Sequence, residues 1–384
     1  MDFSEVIGQK HIKSHLSKTI ENGRIPHAQL FSGVNGSGLL PTAIAYASAL
    51  LCNQYEKQSP EYITCKNKVA KLSHPDLHFV YPVNTSDSVK KHPISDNYTE
   101  AWRDFVRNNP YASLFEWLQS LGIEKKQGNI SKYEAENISK KLALKSFEGG
   151  YKVMIIWMAE NMNTECANKI LKLVEEPADK TVLLLLSENE QQIITTIRSR
   201  CQKLDFPLLS ESDIAKHLIE NQKTEQHLAL KTARRARGNF NTALQLLQET
   251  GQDEIFEEWF ISWVRTAFRA KGNKGAINNL LEWSDALAGK GRETQKKFLN
   301  YCIEVFRQSL LKNYKADALL FFEAKDETFS LAKFAPFVHQ NNIFEINKAL
   351  EDASYHIERN GNAKIIFTDL SIKLTRLIHK KELA

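Results

Sequence analysis

The segment Gly33-Val34-Asn35-Gly36-Ser37-Gly38 lies between a short apolar run, Ala28 to Ser32, and an apolar, alanine-rich stretch from Leu39 to Cys52. Strand, glycine loop and helix in that order let backbone N–H groups and a helix N-terminus hold a phosphate, and the G-x-x-x-x-G spacing is that of the P-loop cradle. The same chemistry needs a lysine next, to reach the β and γ phosphates, and then a serine or threonine to hold Mg²⁺. Leu39 and Leu40 stand at those two places. The loop keeps its backbone and loses its charge, so hydrolysis is not expected here. Two uses remain open: a tight glycine turn kept for packing, or residual nucleotide binding by the loop amides.

The second half of an ATPase site would be acidic residues at the end of a central strand. After Lys152-Val-Met-Ile-Ile156 the chain reads Trp157, Met158, Ala159, Glu160, so both metal-side positions are apolar. Glu160 falls a step late and is expected to be a surface or helix-capping carboxylate. Further along, Ser199-Arg200-Cys201 offers a guanidinium at the end of a short polar segment. From the triplet alone Arg200 is either half of a surface ion pair or a group that meets a phosphate. The cluster Lys231, Arg234, Arg235 and Arg237 reads as a solvated helix face or as a patch for nucleic-acid phosphates. Cys166 and Cys201 have no histidine base placed by a motif, so ordinary packing is expected of them.

The elements that must carry these residues divide by proline. Of 10 prolines in 384 residues, all but Pro336 lie at or before Pro207. A proline-poor stretch can run in long helices, and the second half is expected to be nearly all helix. In the first half, apolar runs at Ala28–Ser32, Leu77–Val83, Val153–Trp157 and Thr181–Leu186 suit strands buried on both faces. Helical patterns at 9–22, 39–52, 131–146 and 163–175 suit crossovers. This predicts a doubly wound α/β domain over 1–207, with an insertion of short helical content at about 84–129. A small helical module at 208–250 and an all-α C-terminal domain at 251–384 follow, with helices at 210–221, 224–236, 240–249, 253–270, 292–313 and 339–358.

Composition excludes little beyond disorder and membrane spanning. The chain is 42% hydrophobic and 25% charged, with a formal net charge of +5, a mild excess compatible with a nucleic-acid assembly and no evidence for one. No apolar run approaches the roughly 20 residues that cross a bilayer. The five scattered cysteines and the polar N-terminus suit a reducing cytoplasm.

Several stretches together resemble the delta-prime subunits of the bacterial DNA polymerase III clamp loader, within the AAA+ superfamily. They are Pro26-His27-Ala28-Gln29-Leu30-Phe31, His74-Pro75-Asp76, Gly150-Tyr151-Lys152-Val153, Ala167 to Lys172 running to Glu175-Glu176-Pro177, and Thr196 to Cys201. The resemblance covers about residues 1–250 and implies an AAA+ α/β domain, a lid and a helical collar. It makes Arg200 an arginine finger that reaches ATP bound by a neighbouring subunit. In active members the lid carries a sensor arginine in a Gly-x-x-x-Arg-Ala-Leu pattern; here Gly238-Asn-Phe-Asn-Thr242-Ala243-Leu244 has Thr242 at that place. Many relatives also hold a four-cysteine zinc module, which Cys52 and Cys65 alone do not supply.

The expectation is therefore a structural and regulatory clamp-loader subunit with no hydrolysis, cofactor or zinc of its own, ATP being bound by the neighbour. Its partners would be the loader's ATPase and delta subunits, primed DNA through the complex and the sliding clamp indirectly. It is no enzyme by itself, though it can be classed with DNA-directed DNA polymerase through the holoenzyme. The rivals are an ATP-hydrolysing AAA+ subunit or DNA-dependent motor, and a stand-alone nucleic-acid-binding helical protein.

Overall fold

The computed structural model describes residues 1–124, 126–248, 252–322, 324–326, 328–359 and 361–381, the side chains of 252–254, 293 and 318 excepted. The expected lid boundary at 250/251, with Gly251, lies outside the described residues. The chain forms two compact units, Met1–Leu247 and Gln248–Ala384.

The first unit is built on a five-stranded parallel sheet, β1 (Ala28–Ser32), β2 (Leu77–Val80), β3 (Lys152–Trp157), β4 (Thr181–Ser187) and β5 (Gln202–Asp205), in the order β2-β3-β4-β1-β5. β3 and β4 are buried along their whole length, as central strands covered on both faces require. Two strands differ from expectation. β2 ends at Val80 because Pro82 has no N–H for a ladder, and Val83 pairs instead, antiparallel, with Asn129. β5 is a fifth strand that apolar patterning does not reveal, since Gln-Lys-Leu-Asp is an exposed edge paired only to β1.

The helices flank the sheet: α1 (Lys10–Glu21), α2 (Leu39–Cys52), α3 (Pro60–Ala70), α4 (Thr99–Asn108), α5 (Leu114–Ser120), α6 (Lys132–Ala143), α7 (Thr164–Glu175) and α8 (Thr195–Arg198). α2 is buried on nearly every side, which its alanines permit. α3, not anticipated, starts at a serine cap, Ser59, followed by Pro60 in the first turn. Cys52 at the end of α2 is disulfide-bonded to Cys65 in α3. This corrects the reading of the cysteines as a scattered, unpaired set; Cys166, Cys201 and Cys302 are free. Among the described residues no helix is long and apolar enough to cross a membrane.

The 84–129 insertion is α4, α5 and their loops, and its irregularly spaced aromatics are a packing device. Trp102 stacks on Tyr81 at 4.0 Å and meets Trp157 at 5.2 Å, while Trp117 donates from Nε1 to the Pro82 carbonyl at 2.8 Å. α9 (Glu211–Gln222), α10 (Gln226–Ala236) and α11 (Phe240–Gln248) complete this unit, with Ile214, Leu218, Ala229, Ala233 and Phe240 as their core.

The second unit is helical: α12 (Gln252–Arg269), α13 (Lys274–Ala288), α14 (Arg292–Asn313), α15 (Leu331–Phe334), α16 (Ile343–Glu358) and α17 (Ala363–Ile378). Its core gathers Trp263, Phe298, Phe306 and Phe367. α13 and α17 escaped the sequence reading. Both start at asparagine caps, Asn273 and Asn362, that accept from backbone amides one turn in.

Candidate functional site: a sealed glycine loop and an exposed arginine turn

The loop leaves β1 at Gly33 and enters α2 through Gly38, with φ of 73° at Gly36 and 99° at Gly38, a backbone that favours glycine. Leu39 and Leu40 do not face a ligand; both are buried in the core below the loop. Ser37 is fully buried, its carbonyl taking a hydrogen bond from Gln9 Nε2 at 2.9 Å.

The space over the loop belongs to the protein. A Cβ built on Gly36 would lie 1.9 Å from Asn239 Oδ1, and the Phe240 N–H donates to the Gly36 carbonyl at 3.2 Å. Asn239 also caps α11, its Oδ1 accepting from the Thr242 N–H at 3.0 Å. Thr242, at the lost sensor position, thus sits half-buried in the first turn of the helix that closes the loop. From the insertion, Tyr111 comes against Gly38, receives the Ile7 N–H on its hydroxyl at 2.9 Å and meets Phe240 edge-on at 4.9 Å.

Glu116 of the insertion fastens the closure. It accepts from Asn241 Nδ2 at 2.6 Å and Gln245 Nε2 at 3.1 Å, both on α11, while Asn109 Nδ2 donates to Asn241 Oδ1 at 2.7 Å. Burial pushes the Glu116 carboxyl up, but hydrogen bonds from Ser113, Asn241 and Gln245 outweigh it and hold it below its ordinary value.

The acidic side of the site is also changed. Trp157 and Met158 are buried, Trp157 against the insertion's Trp102 and Phe105. Glu160 is neither a free surface group nor a helix cap: its Oε1 accepts the Glu188 N–H at 2.9 Å, tying the ends of β3 and β4. Glu188 in turn accepts from Asn35 Nδ2 at 3.1 Å, and Asn239 Nδ2 donates to Asn35 Oδ1 at 3.3 Å. Burial, with the Glu160 charge adding to it, pushes the Glu188 carboxyl above its ordinary value. Two carboxylates therefore stand beside a loop that, among the described residues, has no Lys or Arg hydrogen-bonded to it. Asn35, Tyr111, Glu116, Glu188 and Asn239 were not singled out from sequence. The signal for Asn239 lay in Gly238-Asn239, a glycine just past the end of α10 followed by a capping asparagine for α11.

Arg200 is arranged differently. It follows α8, about two-fifths exposed, with Nε paired to Glu175 Oε1 at 2.8 Å and Nη1 donating to the Thr196 carbonyl at 3.0 Å. Glu175 belongs to the Glu175-Glu176-Pro177 stretch, so two segments singled out separately meet here. Ser199 donates from Oγ to the Thr196 carbonyl at 3.2 Å and so braces the turn; burial pushes the Cys201 thiol up to about 11, which leaves it inert at neutral pH. Arg200 stands at the far end of the strand pair from its own loop. β5 runs parallel to β1 with Gln202 opposite Gln29, so Arg200 lies level with the start of β1 and the loop with its end. The four residues of β5 put roughly 13 Å of strand between them.

His74, buried, donates or accepts at Nε2 with Glu148 at 3.1 Å, and Asp76 accepts the Phe147 and Glu148 amides at 2.7 and 2.9 Å. Cys65, His74 and Glu148 lie close enough to share a metal, but Cys65 is in the disulfide and Glu148 also holds Lys68 at 2.6 Å. Of the basic cluster, Arg234 pairs with Glu211 at 3.6 Å.

Residues 8–210, more than half of the chain, match the family described as "DNA polymerase III, delta subunit". The Bacillus subtilis (strain 168) DNA polymerase III subunit delta' is 28% identical over 65% of this chain and 61% of its own length. The subunit tau of the same organism is 22% identical over 98% of this chain and 62% of its length, and the Haemophilus influenzae subunit tau/gamma 25% over 64% and 30%. The chain thus spans about three-fifths or less of these relatives. A Thermotoga maritima gamma subunit-related protein of DNA polymerase III is 12% identical over 95% of this chain and 99% of its own, with a TM-score of 0.38; the Thermotoga maritima RuvB Holliday junction branch migration motor is 14% identical over 83% and 82%, with a TM-score of 0.40. On the match over 8–210, with the parallel sheet, glycine loop and Ser199-Arg200-Cys201 turn where that match runs, the chain belongs to the DNA polymerase III delta-subunit family.

Proposed function

We propose that this chain is a non-hydrolysing subunit of a DNA polymerase III clamp loader that lends Arg200 to the ATP site of a neighbouring subunit. The observation that carries the reading is the placement of the two half-sites at opposite ends of β1 and β5, one sealed and one exposed. A guanidinium supplied across an interface stabilises charge developing on the transferred phosphoryl group. The Glu175 pair keeps Arg200 oriented until a phosphate arrives, and an exposed pair worth about 0–1 kcal/mol is readily exchanged.

In this reading the chain holds neither nucleotide nor zinc. Its partners are the loader's ATPase and delta subunits, with primed DNA reached through the complex and the sliding clamp indirectly. The test is reconstituted loading with Arg200→Ala. ATP turnover and clamp loading are expected to fall at least tenfold, short of the roughly 10³-fold seen for fingers in other phosphoryl-transfer enzymes. Unchanged rates would remove the finger assignment. Saturable Mg·ATP binding with turnover by the isolated chain would instead revive the motor reading, and one equivalent of bound zinc would overturn the zinc-free one.

A further inference from the structure

The second unit has a cavity of about 310 Å³ that none of the foregoing uses, between the last turns of α12, the 328–330 segment and α15. Its walls are phenylalanines. Phe334 is buried, Phe329 and Phe337 are half-buried, and Phe268 is 43% exposed at the mouth. Their rings meet edge-on or tilted, Phe268 with Phe337 at 5.1 Å and Phe329 with Phe334 at 5.7 Å. One face of Phe268 is covered by His379 at 4.9 Å. The result is a slot for a side chain rather than open ring faces on which bases stack.

The charged side chains among the described residues that line the cavity are all cations. Arg265, Arg269 and Lys333 line the same cavity. Arg265 is partly engaged, Nη2 donating to the Thr328 carbonyl at 2.7 Å, with Asp326 as its neighbouring acid. Arg269 and Lys333 are exposed, and among the described residues neither side chain has a hydrogen-bond or ion-pair partner. A cation in the last turn of a helix complements its dipole, which accounts for Arg269 on α12 but not for Lys333 on a separate element. The volume is at the small end for a ligand pocket and fits one or two residues rather than a whole helix.

We propose that this cavity is a docking site for an acidic peptide segment that seats one bulky apolar side chain among the phenylalanines and lays its carboxylates on Arg269 and Lys333. A short acidic tail on a partner protein has that chemistry. Apolar anchoring supplies the affinity, and the charges supply steering and salt dependence.

The experiment is fluorescence anisotropy of the full-length protein with a labelled decapeptide of aspartates around one central phenylalanine. Saturable binding is expected, weakened by rising salt. The double substitution Arg269→Glu with Lys333→Glu should weaken it at least tenfold, and so should replacing the peptide's phenylalanine by alanine. Phe268→Ala, which opens the mouth without emptying the core, should weaken it severalfold with the circular dichroism melt unchanged. Absence of saturable binding overturns the proposal, as does equal binding of the alanine peptide. Displacement by a ten-nucleotide oligothymidylate at matching affinity would make this a nucleic-acid surface and overturn it too.

Discussion

The glycine loop and the Arg200 turn border neighbouring strands, β1 and β5, yet the chain treats them in opposite ways. The loop is met by Gln9, Tyr111, Glu188, Phe206, Asn239 and Phe240. The Arg200 guanidinium is left two-fifths exposed with one carboxylate for company. At the loop end of this strand pair Leu39 stands at the lysine place and Asn239 fills the space over Gly36; at the other end Arg200 keeps a charged, part-exposed side chain. Substitutions that try to reopen the loop should therefore cost folding stability, while those at the arginine should cost almost none.

The strongest test restores an acid to the metal side. Trp157→Asp removes a ring packed at 5.2 Å from Trp102 and buries a carboxylate where Trp157 is 3% exposed. The lost ring costs about 3–5 kcal/mol and an unpaired buried charge adds to it. Urea unfolding should show the first unit destabilised beyond 4 kcal/mol, roughly the largest effect of a single substitution; a variant as stable as the parent would mean the aromatic cluster does not seal the site.

Gly36→Ala comes next. A methyl there meets Asn239 Oδ1 and the Phe240 amide, and φ of 73° strains any side chain. About 2–4 kcal/mol is expected. Asn239→Ala added to it should restore part of the loss by removing the blocking amide, although it also removes the α11 cap. Identical losses in single and double variants would show that the strain, not the clash, is responsible.

Glu116 links the insertion to α11 and makes the closure sensitive to acid. Because its folded pKa lies below its ordinary value of 4.5, its contribution is present above pH 4.5 and is lost as pH falls through the folded value. Glu116→Gln keeps the shape but halves the acceptors. It should cost about 1–2 kcal/mol at neutral pH, with the gap to the parent narrowing below pH 4.5. A gap that stays constant down to pH 3 would detach Glu116 from the closure.

Much of this was legible in the residues, and the unread part has a common cause. β1, β3, β4 and α14 announce themselves because buried strands and a long amphipathic helix impose unbroken patterns. β5 does not, being a mostly exposed, polar edge strand that pairs with β1. The apolar residues Leu39, Leu40 and Trp157 could be read from spacing, but the side chains that pack over the loop could not. Tyr111 and Asn239 reach the loop from about 75 and 200 residues away in sequence, through contacts that only the folded insertion and α11 create. The disulfide is similar: 13 residues separate Cys52 from Cys65, and it is the unrecognised α3 that turns one back on the other.

Arg200→Ala is the smallest expected change in stability and the most informative. The side chain's bonds are an exposed ion pair with Glu175 and contacts to Thr196 and Ser199 in its own turn. Exposed pairs contribute about 0–1 kcal/mol, and the Arg200 side chain is about two-fifths exposed, so removing it empties no buried core. The melting curve of the isolated chain should move by no more than about 0.5 kcal/mol equivalent. Glu175→Ala should be equally mild for folding, but it frees Arg200 from its resting partner. If the pair serves only to hold the turn, the two variants will behave alike in every assay. If Arg200 is held for a phosphate, they separate: in the assembled complex the arginine variant loses ATP turnover, while the glutamate variant keeps most of it, because the guanidinium is still there to be captured. Equal loss in both would assign the pair to architecture and leave the exposed arginine without a trans role.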